Sequence, residues 1–236
     1  GDIDAACRAL AAEVNNCDKS WLASWSQAEV AAQNAMSVWT SKNFSEPSVA
    51  RTVTLAMTVG SHLVISSSMP IRDVEWFGTA TSGVTVHSNR GTNGIDGVIS
   101  TAVGVGLVTK ARVTLLIGDI ACLHDSNGLW ALNRRDVDLT IVVTNNDGGS
   151  IFSFLPQAQA MEGAQFEQLF GTPHSVDFEA LAKTHGIAFT WVATAEELRR
   201  ELGDTATSMI GVRTDRNKNV DDHNALYAAV AEALVK

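Results

Sequence analysis

Short apolar runs rich in β-branched residues alternate with longer segments of helical periodicity along most of the chain. The runs VTLLI at 113–117 and LTIVVT at 139–144 are almost wholly apolar, which is typical of strands buried on both faces of a parallel sheet. Similar runs predict strands at 62–66, 84–87, 187–192 and 207–212. Strands that alternate with helices in this way predict an α/β fold, with a mainly parallel sheet of about six strands and helices on both faces.

Local capping patterns predict where several helices begin and end. Ser45 is expected to cap a helix that carries Pro47 in its first turn. Thr194 and Glu197 have the spacing of a capping box. The other expected boundaries are Ser175 as an N-cap, and Gly186 and Gly203 as glycines that follow helix ends.

Further helices are expected from the periodicity at 20–42, from near Ile95, at about 126–133 and at 222–236. The connection at 156–174 is long for a compact α/β domain, and it directly follows a glycine-rich stretch. Long connections of this kind often cover a binding site, so we interpret this one as a mobile lid.

The composition narrows the class of protein. A chain of 236 residues with 45% apolar content can bury a core as one domain, with or without an extra helical piece. Its net charge of -9 and the lack of a Lys/Arg cluster argue against a nucleic-acid partner. No apolar run is long enough for a membrane span and the first residues have no signal-peptide pattern, so we expect a cytoplasmic protein with no membrane partner.

The cysteines and the first residues add two expectations. Cys7, Cys17 and Cys122 form no Cys-x-x-Cys pair, so neither a disulfide framework nor a zinc site is predicted. The chain begins at Gly1, without Met, in sequence that is typical of a helix. We therefore expect it to be part of a longer protein.

Two polar residues follow consecutive predicted strands. Asp119 comes after VTLLI and a glycine, and Asn146 follows LTIVVT. Because parallel strands end at the same edge of a sheet, we expect the two side chains to converge there. Their oxygens, with a nearby carbonyl, suit Mg²⁺ that also binds a diphosphate. On spacing alone, an equally good alternative is that Asp119 caps a helix entered near Ser126 and Asn146 lies in a turn.

Two further stretches favour the ligand-binding interpretation. SNRGTNGIDGVISTAVGVG, at 88–106, has glycines that let backbone approach a ligand, and a helix start whose amides suit an anion. SSSMPIRDVEWF, at 66–77, also follows a strand and brings hydroxyls and Arg72 to the same edge. Together they predict a phosphate-binding cleft.

These motifs together resemble one family. The segments SMPIRD, NRGTNGIDG, GDI…HDSNGL and TIVVTNNDGGSIFSFLPQ are similar to the C-terminal portion of 2-succinyl-5-enolpyruvyl-6-hydroxy-3-cyclohexene-1-carboxylate synthase, a thiamine-diphosphate enzyme of menaquinone biosynthesis. The resemblance is specific from about Ser66 to Pro156 and looser elsewhere. It implies the thiamine-diphosphate-binding fold, a helical remnant of the middle domain at 1–45, and a cofactor-diphosphate-binding domain at 46–236.

The resemblance also implies roles for particular residues. Asp119, Asn146 and the carbonyl of Gly148 would hold Mg²⁺, or Mn²⁺, on thiamine diphosphate. Ile95 would support the bent cofactor. The remaining implied cofactor-binding residues are Ser68, Gly118, Ile120 and Gly149, and the implied substrate-binding residues are Ser68, Arg72, Arg90, Ile151, Phe152 and Leu155. Arginines suit the substrates because guanidinium groups bind carboxylates in a bidentate way.

The full enzyme implied by this resemblance decarboxylates 2-oxoglutarate and adds the succinyl carbanion equivalent to isochorismate, as a homodimer or homotetramer. The family's catalytic glutamate lies in an N-terminal domain that has no counterpart in this sequence. We therefore assign no catalytic residue here and expect this chain alone to be inactive. Ser150 replaces a glycine often seen in the family at this point, which places a hydroxyl near the cofactor.

Three alternatives remain open from the sequence. Another thiamine-diphosphate carboligase, of the acetolactate synthase type, would share the Asp119 and Asn146 pair. A non-catalytic nucleotide-binding module would need Gly-x-Gly-x-x-Gly after the first strand, where SSSMPIRD stands instead. A non-catalytic interaction domain would have no use for a metal-dependent cofactor site.

His124 is a further candidate site residue, as a proton shuttle.

Overall fold

Six parallel strands form one sheet in the computed structural model, which describes residues 2–14, 18–91, 94–130, 132–204 and 206–235. The strands are β1 (His62–Ile65), β2 (Thr85–Ser88), β3 (Val113–Gly118), β4 (Leu139–Asn145), β5 (Ala188–Val192) and β6 (Ser208–Arg213). Their order across the sheet is β2-β1-β3-β4-β6-β5. All six predicted strands are confirmed, and no end differs from its predicted position by more than about one residue.

The helices are α1 (Ile3–Glu13), α2 (Lys19–Thr40), α3 (Glu46–Ala56), α4 (Met69–Phe77), α5 (Val98–Thr109), α6 (Asp119–His124), α7 (Gln157–Ala160), α8 (Gly163–Phe166), α9 (Phe178–Thr184), α10 (Ala195–Leu202) and α11 (Arg216–Leu234). A π-helical turn follows α8 at Glu167–Gly171. The connection expected to be a lid therefore consists mainly of short helical turns.

The helix predicted at about 126–133 is wrong. The chain enters α6 at Asp119 and then forms two 3₁₀ turns, Ser126–Leu129 and Leu132–Arg134. A Cβ atom on Gly128 would lie only 3.0 Å from the Ile99 side chain of α5, so this turn is pressed against the neighbouring helix. Asn127 and Gly128 also disfavour a regular α-helix.

The capping predictions for α10 and for the end of α9 are confirmed. The Thr194 hydroxyl accepts a hydrogen bond from the Glu197 amide at 3.1 Å. The Glu197 carboxylate accepts one from the Ala193 amide at 2.7 Å, which completes a capping-box arrangement one residue earlier than usual. Gly186 has φ +68° after α9, a left-handed conformation that glycine adopts without strain.

Two other boundaries differ from the sequence prediction, and a third, at Ser45, is confirmed without a capping hydrogen bond. Ser175 is not the cap of α9, because its φ of 51° is left-handed and Asp177 caps the helix by accepting from the amides of Glu179 and Ala180. Gly203 ends α10 in a right-handed conformation, with φ -76°. Ser45 is the N-cap residue of α3, but its hydroxyl faces Ser48 and makes no hydrogen bond to the helix backbone.

The core has a layer on each face of the sheet. On one face, Leu115 and Ile117 of β3 pack with α5 and α9. On the other, Leu116 of β3 packs with α3 and α10. Neighbouring residues of β3 thus face opposite layers and are all buried, which explains its unbroken apolar run. The prediction of helices on both faces is confirmed.

The N-terminal helices join the rest of the chain through α2. Met36 of α2 packs with Phe77 and Leu226, while α1 buries no side chain. Arg51 of α3 donates to the Ser37 hydroxyl at 2.8 Å and to the Phe77 carbonyl at 2.9 Å. The domain boundary at residue 45 stays a prediction.

The described residues also bear on the cysteines and on membrane spans. Cys7 is exposed and Cys122 is buried, both as free thiols, and Cys17 lies outside the described residues. Within the described part of the chain, no helix has the length and apolar character needed to cross a membrane.

Candidate functional site

A cavity of about 290 Å³ lies at the carboxyl ends of β1, β3 and β4. The chain runs outward from β1 to β2 in one direction and from β3 to β4 in the other, so the sheet order reverses between β1 and β3. Open α/β sheets bind ligands at such a switch point. A larger cavity of about 700 Å³, lined mainly by α2, α4 and the segment that follows α4, has none of the sequence-predicted site residues in its described lining.

Asp119 is buried at the first position of α6, 2% exposed. One carboxylate oxygen, Oδ2, accepts hydrogen bonds from the backbone amides of Asn146, at 3.0 Å, and Gly148, at 3.1 Å. Burial raises the pKa of Asp119, and hydrogen bonds from the backbone amides of Gly148 and Ile120 oppose the rise. The carboxylate therefore joins the ends of β3 and β4, and the structure brings Asp119 and Asn146 together.

One end of the Asn146 side chain makes a hydrogen bond, and the other end has no partner among the described residues. Its Nδ2 donates to Oε1 of Glu46 at 2.8 Å. Its Oδ1 is buried with no hydrogen-bond partner among the described residues. A buried acceptor without a partner is unusual, and the residue lines the cavity beside Asp119.

The side-chain oxygens of Asp119 and Asn146 fit a magnesium ion. Carboxylate, amide and carbonyl oxygens are hard ligands, and Mg²⁺ usually completes its octahedron with phosphate and water. Within the described residues, no three His, Cys, Asp or Glu side chains cluster closely enough to form a metal site. A metal here would thus depend on Asp119, Asn146, backbone carbonyl and ligand oxygens.

Sequence reasoning missed Glu46, which is 3% exposed at the start of α3 and also lines the cavity. Its carboxylate accepts from Asn146 Nδ2 and from the Thr214 hydroxyl at 3.0 Å. Burial, with the nearby Asp73 carboxylate, raises the pKa of Glu46 to about 7. No local pattern predicts these contacts, because both partners are distant in the chain.

Sequence reasoning also missed His174. Its Nδ1 accepts from the Val176 amide at 3.0 Å, so the other ring nitrogen carries the proton in the neutral ring. That nitrogen, Nε2, lies 3.3 Å from Oδ2 of Asp119. The chain segment after the π-helical turn therefore contributes a group that faces the buried carboxylate.

Three serines follow β1 at the rim of the cavity. The hydroxyls of Ser66 and Ser67 are buried without hydrogen-bond partners among the described residues. Ser68 has φ +75°, which is strained for a residue with a side chain, and its carbonyl accepts from Nη1 of Arg72 at 2.7 Å. The sequence prediction named Ser68, whereas the two orphaned hydroxyls belong to its neighbours.

Two glycines allow the loop after β4 to pack under the π-helical turn. Gly148 has φ +149°, and a Cβ atom there would lie 2.0 Å from the Gly171 carbonyl oxygen. The Gly149 amide donates to that same oxygen at 2.8 Å. No side chain fits at residue 148, so the glycine is required by close backbone approach.

Most predicted site residues share the cavity. Its lining includes Ser68, Arg72, Ile95, Gly118, Asp119, Ile120, Asn146, Gly148, Gly149, Ile151 and Phe152. Leu155 is 42% exposed and Arg90 is also exposed, and neither is in the described lining. Arg90 follows β2, the outermost strand on its side, and Leu155 leaves the 3₁₀ segment Ser150–Phe154 in an extended conformation.

The glycine-rich stretch and His124 also differ from expectation. The helix expected near Ile95 begins at Val98, after Gly97 with φ +65°, and Thr92 and Asn93 of the motif lie outside the described residues. His124 pairs with Asp96 at 2.9 Å, both side chains being more than half exposed, and it is absent from the described lining.

Comparison with known proteins agrees with this fold. A family model described as "Thiamine pyrophosphate enzyme, C-terminal TPP binding domain" matches residues 77–212, more than half of the chain. A solved thiamine diphosphate-dependent 4-hydroxybenzoylformate decarboxylase from Rhodococcus jostii aligns with TM-score 0.59, covering 72% of this chain and 32% of that one. At 23% identity, it supports the fold.

Curated relatives are more similar in sequence. The 2-succinyl-5-enolpyruvyl-6-hydroxy-3-cyclohexene-1-carboxylate synthase of Myxococcus xanthus is 41% identical over 99% of this chain and 41% of its own length. The synthase of the same name from Chloroflexus aurantiacus is 40% identical over 97% of this chain. The chain spans 40% of the length of that relative. The chain belongs to the thiamine pyrophosphate enzymes and contains their C-terminal TPP-binding domain.

Proposed function

We propose that this chain is the cofactor-diphosphate-binding part, at 46–236, of a 2-succinyl-5-enolpyruvyl-6-hydroxy-3-cyclohexene-1-carboxylate synthase, preceded at 1–45 by a remnant of the middle domain. The full enzyme is a transferase that decarboxylates 2-oxoglutarate and adds the succinyl unit to isochorismate in menaquinone biosynthesis. The observation that carries the proposal is the partnerless Asn146 Oδ1 beside buried Asp119 at the switch point. The names of the relatives support the choice of reaction.

Asp119, Asn146 Oδ1 and the Gly148 carbonyl would hold the metal, Mg²⁺ or Mn²⁺. A cation there would offset the unfavourable burial of the Asp119 charge at this nearly inaccessible position. The hydroxyls of Ser66 and Ser67 are available donors for the diphosphate oxygens. Gly118, Ile120 and Gly149 complete this side of the cavity.

The other cavity residues are assigned to the cofactor and to the substrate. When bound, thiamine diphosphate supplies the electron sink that the decarboxylation needs. Ile95 supports the cofactor, while Ile151 and Phe152 limit access of water. A guanidinium has five N–H donors, so the contact of Arg72 with the Ser68 carbonyl orients the group and leaves donors for a substrate carboxylate. Arg90 and Leu155 stay predictions, since they lie outside the described lining.

The complete site requires more than this chain. The activating glutamate of the family is expected on a separate N-terminal domain, so this chain by itself does not catalyse. The full enzyme is proposed to be a cytoplasmic homodimer or homotetramer.

The reaction is tested by assaying the full gene product with thiamine diphosphate, Mg²⁺, isochorismate and either 2-oxoglutarate or pyruvate. We expect product formation with 2-oxoglutarate. Preference for pyruvate would instead support a carboligase of the acetolactate synthase type.

The metal assignment is tested by Asp119→Ala and Asp119→Asn in the full gene product, with Asp136→Ala as control because Asp136 is fully exposed. Since a hard cation loses its only charged protein ligand, we expect both Asp119 variants to lose Mg²⁺-dependent cofactor binding in titration calorimetry. Unchanged affinity in either variant would show that Asp119 does not hold the metal.

A further inference from the structure

A chain of buried polar groups runs from α4 through α11 to the cavity wall. Asp73 Oδ1 lies 2.7 Å from His223 Nε2, and His223 Nδ1 lies 2.7 Å from the Asn219 carbonyl oxygen. Asn219 Nδ2 then donates to the Ser150 hydroxyl, also at 2.7 Å. All four residues are buried, although Asp73 and His223 are 150 positions apart.

The geometry defines how His223 is used. A carbonyl oxygen only accepts, so Nδ1 must carry a proton. The short contact of Nε2 with a carboxylate then places a second proton between His223 and Asp73. Burial alone would lower the pKa of His223, but the hydrogen bond to Asp73 raises it above its usual range. Both ring nitrogens are therefore committed to holding other elements.

Each end of this chain of groups joins a wall of the cavity. Asp73 directly follows Arg72 on α4, so its bond to His223 fixes the helix that carries the arginine. Ser150 begins the segment Ser150–Phe154, which contributes Ile151 and Phe152 to the lining. The Phe154 ring also meets the His223 ring edge-on, with centroids 4.9 Å apart.

Ser150 is informative because it belongs to the cavity and to the network at once. It lines the cavity, and its hydroxyl accepts a hydrogen bond from Asn219 of α11, which is itself only 2% exposed. A buried ion pair alone is weak evidence for stability, so the network needs an explanation other than stabilisation of the fold. The position of the network behind two walls of one cavity supplies that explanation.

We infer that His223 is a positioning residue for the substrate pocket: through Asp73 and through Asn219 and Ser150, it holds α4 and the segment Ser150–Phe154 in register without touching substrate. The dicarboxylate identity of the substrate rests on the proposed function, but the coupling of the two walls does not.

The test uses His223→Gln in the full gene product, with Lys218→Gln as control on the exposed side of α11. Losing one buried hydrogen bond between the walls is expected to raise KM for 2-oxoglutarate roughly tenfold, with kcat changed less than about twofold. Hydrogen exchange should accelerate at 69–77 and 150–154 but not in β3. The control should match the wild type in both measurements.

Ser150→Ala provides a milder second variant, because it removes only the last link and leaves the Asp73–His223 pair intact. We expect the same effects at a smaller size. Wild-type KM and wild-type local exchange in Ser150→Ala would overturn the inference, as would His223→Gln accelerating exchange uniformly across the sheet at unchanged KM. If the wild type does not use 2-oxoglutarate, the proposed function fails, and the exchange pattern alone decides whether His223 couples the walls.

Discussion

Glu46 shows how a single buried side chain can fix the orientation of another. When Glu46 is ionised, its carboxylate only accepts hydrogen bonds, so the Asn146 side chain turns its nitrogen toward Glu46 and leaves its oxygen without a partner among the described residues. The Thr214 hydroxyl donates to the same carboxylate oxygen, Oε1. The sequence predicts Asp119 and Asn146 because each follows a strand, but it gives no sign of Glu46 or His174, whose partners come from distant elements.

Glu46→Gln should change the dependence of stability on pH. The pKa of Glu46 is raised from 4.5 to about 7, so the folded state binds this proton more tightly than the unfolded state. The wild type therefore loses stability as pH rises from about 4.5 to about 7, and the glutamine variant lacks this loss. In metal-free buffer, the Tm of Glu46→Gln relative to wild type should increase between pH 5 and pH 8.

The control for that measurement is Glu75→Gln, at an exposed position on α4, which should parallel the wild type at every pH. A wild type that gains stability relative to Glu46→Gln as pH rises would contradict the assignment of a raised pKa.

Cys122 should resist alkylation in the native protein. Burial raises the pKa of its thiol to about 12, so the reactive thiolate is almost absent at pH 8. Cys7 is exposed and should react with iodoacetamide under the same conditions. Peptide mass spectrometry measures both positions, and unfolding in urea is expected to make Cys122 reactive. Rapid native labelling of Cys122 would show that α6 is not packed as described.

At the scale of elements, the strands are far more predictable than the helix ends. The run at β3 is apolar because both faces are covered, and that constraint is visible in sequence. The start of α9 is not visible in the sequence, because Ser175 and Asp177 are both capable caps and only the left-handed backbone at Ser175 decides between them. The failed helix at 126–133 likewise depends on contact with α5, a tertiary feature.

The pairing of β5 with β6 predicts the effect of adding one methyl group. A Cβ atom on Gly211 would lie 2.5 Å from the Trp191 ring and 2.7 Å from the Phe189 ring. Gly211→Ala must displace two aromatic side chains and should lower the free energy of unfolding by about 1–3 kcal/mol in urea titration.

Gly104→Ala is the matched control, because that helical position has open space around its Cβ. Alanine is favoured over glycine in helices, so this variant should be as stable as the wild type or more stable, by up to about 1 kcal/mol. Equal destabilisation by both substitutions would indicate that the aromatic contact is not responsible.

At the scale of the whole molecule, the sequence predicts a parallel sheet but not its strand order. That order matters, because the cavity lies where the direction of winding reverses between β1 and β3. It also explains why Arg90 is absent from the described lining of the cavity: its motif follows a strand, as expected, but β2 is the outermost strand on that side. Motif order along the chain therefore predicts the lining of this cavity better for the inner strands than for the outer one.

The chain expressed alone should fold. Both faces of its sheet are covered by its own helices, so a cooperative thermal transition by circular dichroism is expected. Trp21 and Trp25 on α2 are 66% and 62% exposed, and apolar side chains exposed in this way favour association. Sedimentation should therefore show concentration-dependent oligomers, and a non-cooperative transition would mean that the core needs residues from outside this chain.

The same preparation should not catalyse. The cavity supplies groups for a metal and a diphosphate, but the family's activating carboxylate is expected on another domain, and the Glu46 carboxylate of the cavity already accepts from Asn146 and Thr214. We expect no product from 2-oxoglutarate and isochorismate with thiamine diphosphate and Mg²⁺, even where calorimetry detects weak Mg²⁺-dependent binding. Adding the full gene product to the same mixture serves as the positive control. Turnover by the chain alone at a rate close to that of the full product would show that its own residues activate the cofactor.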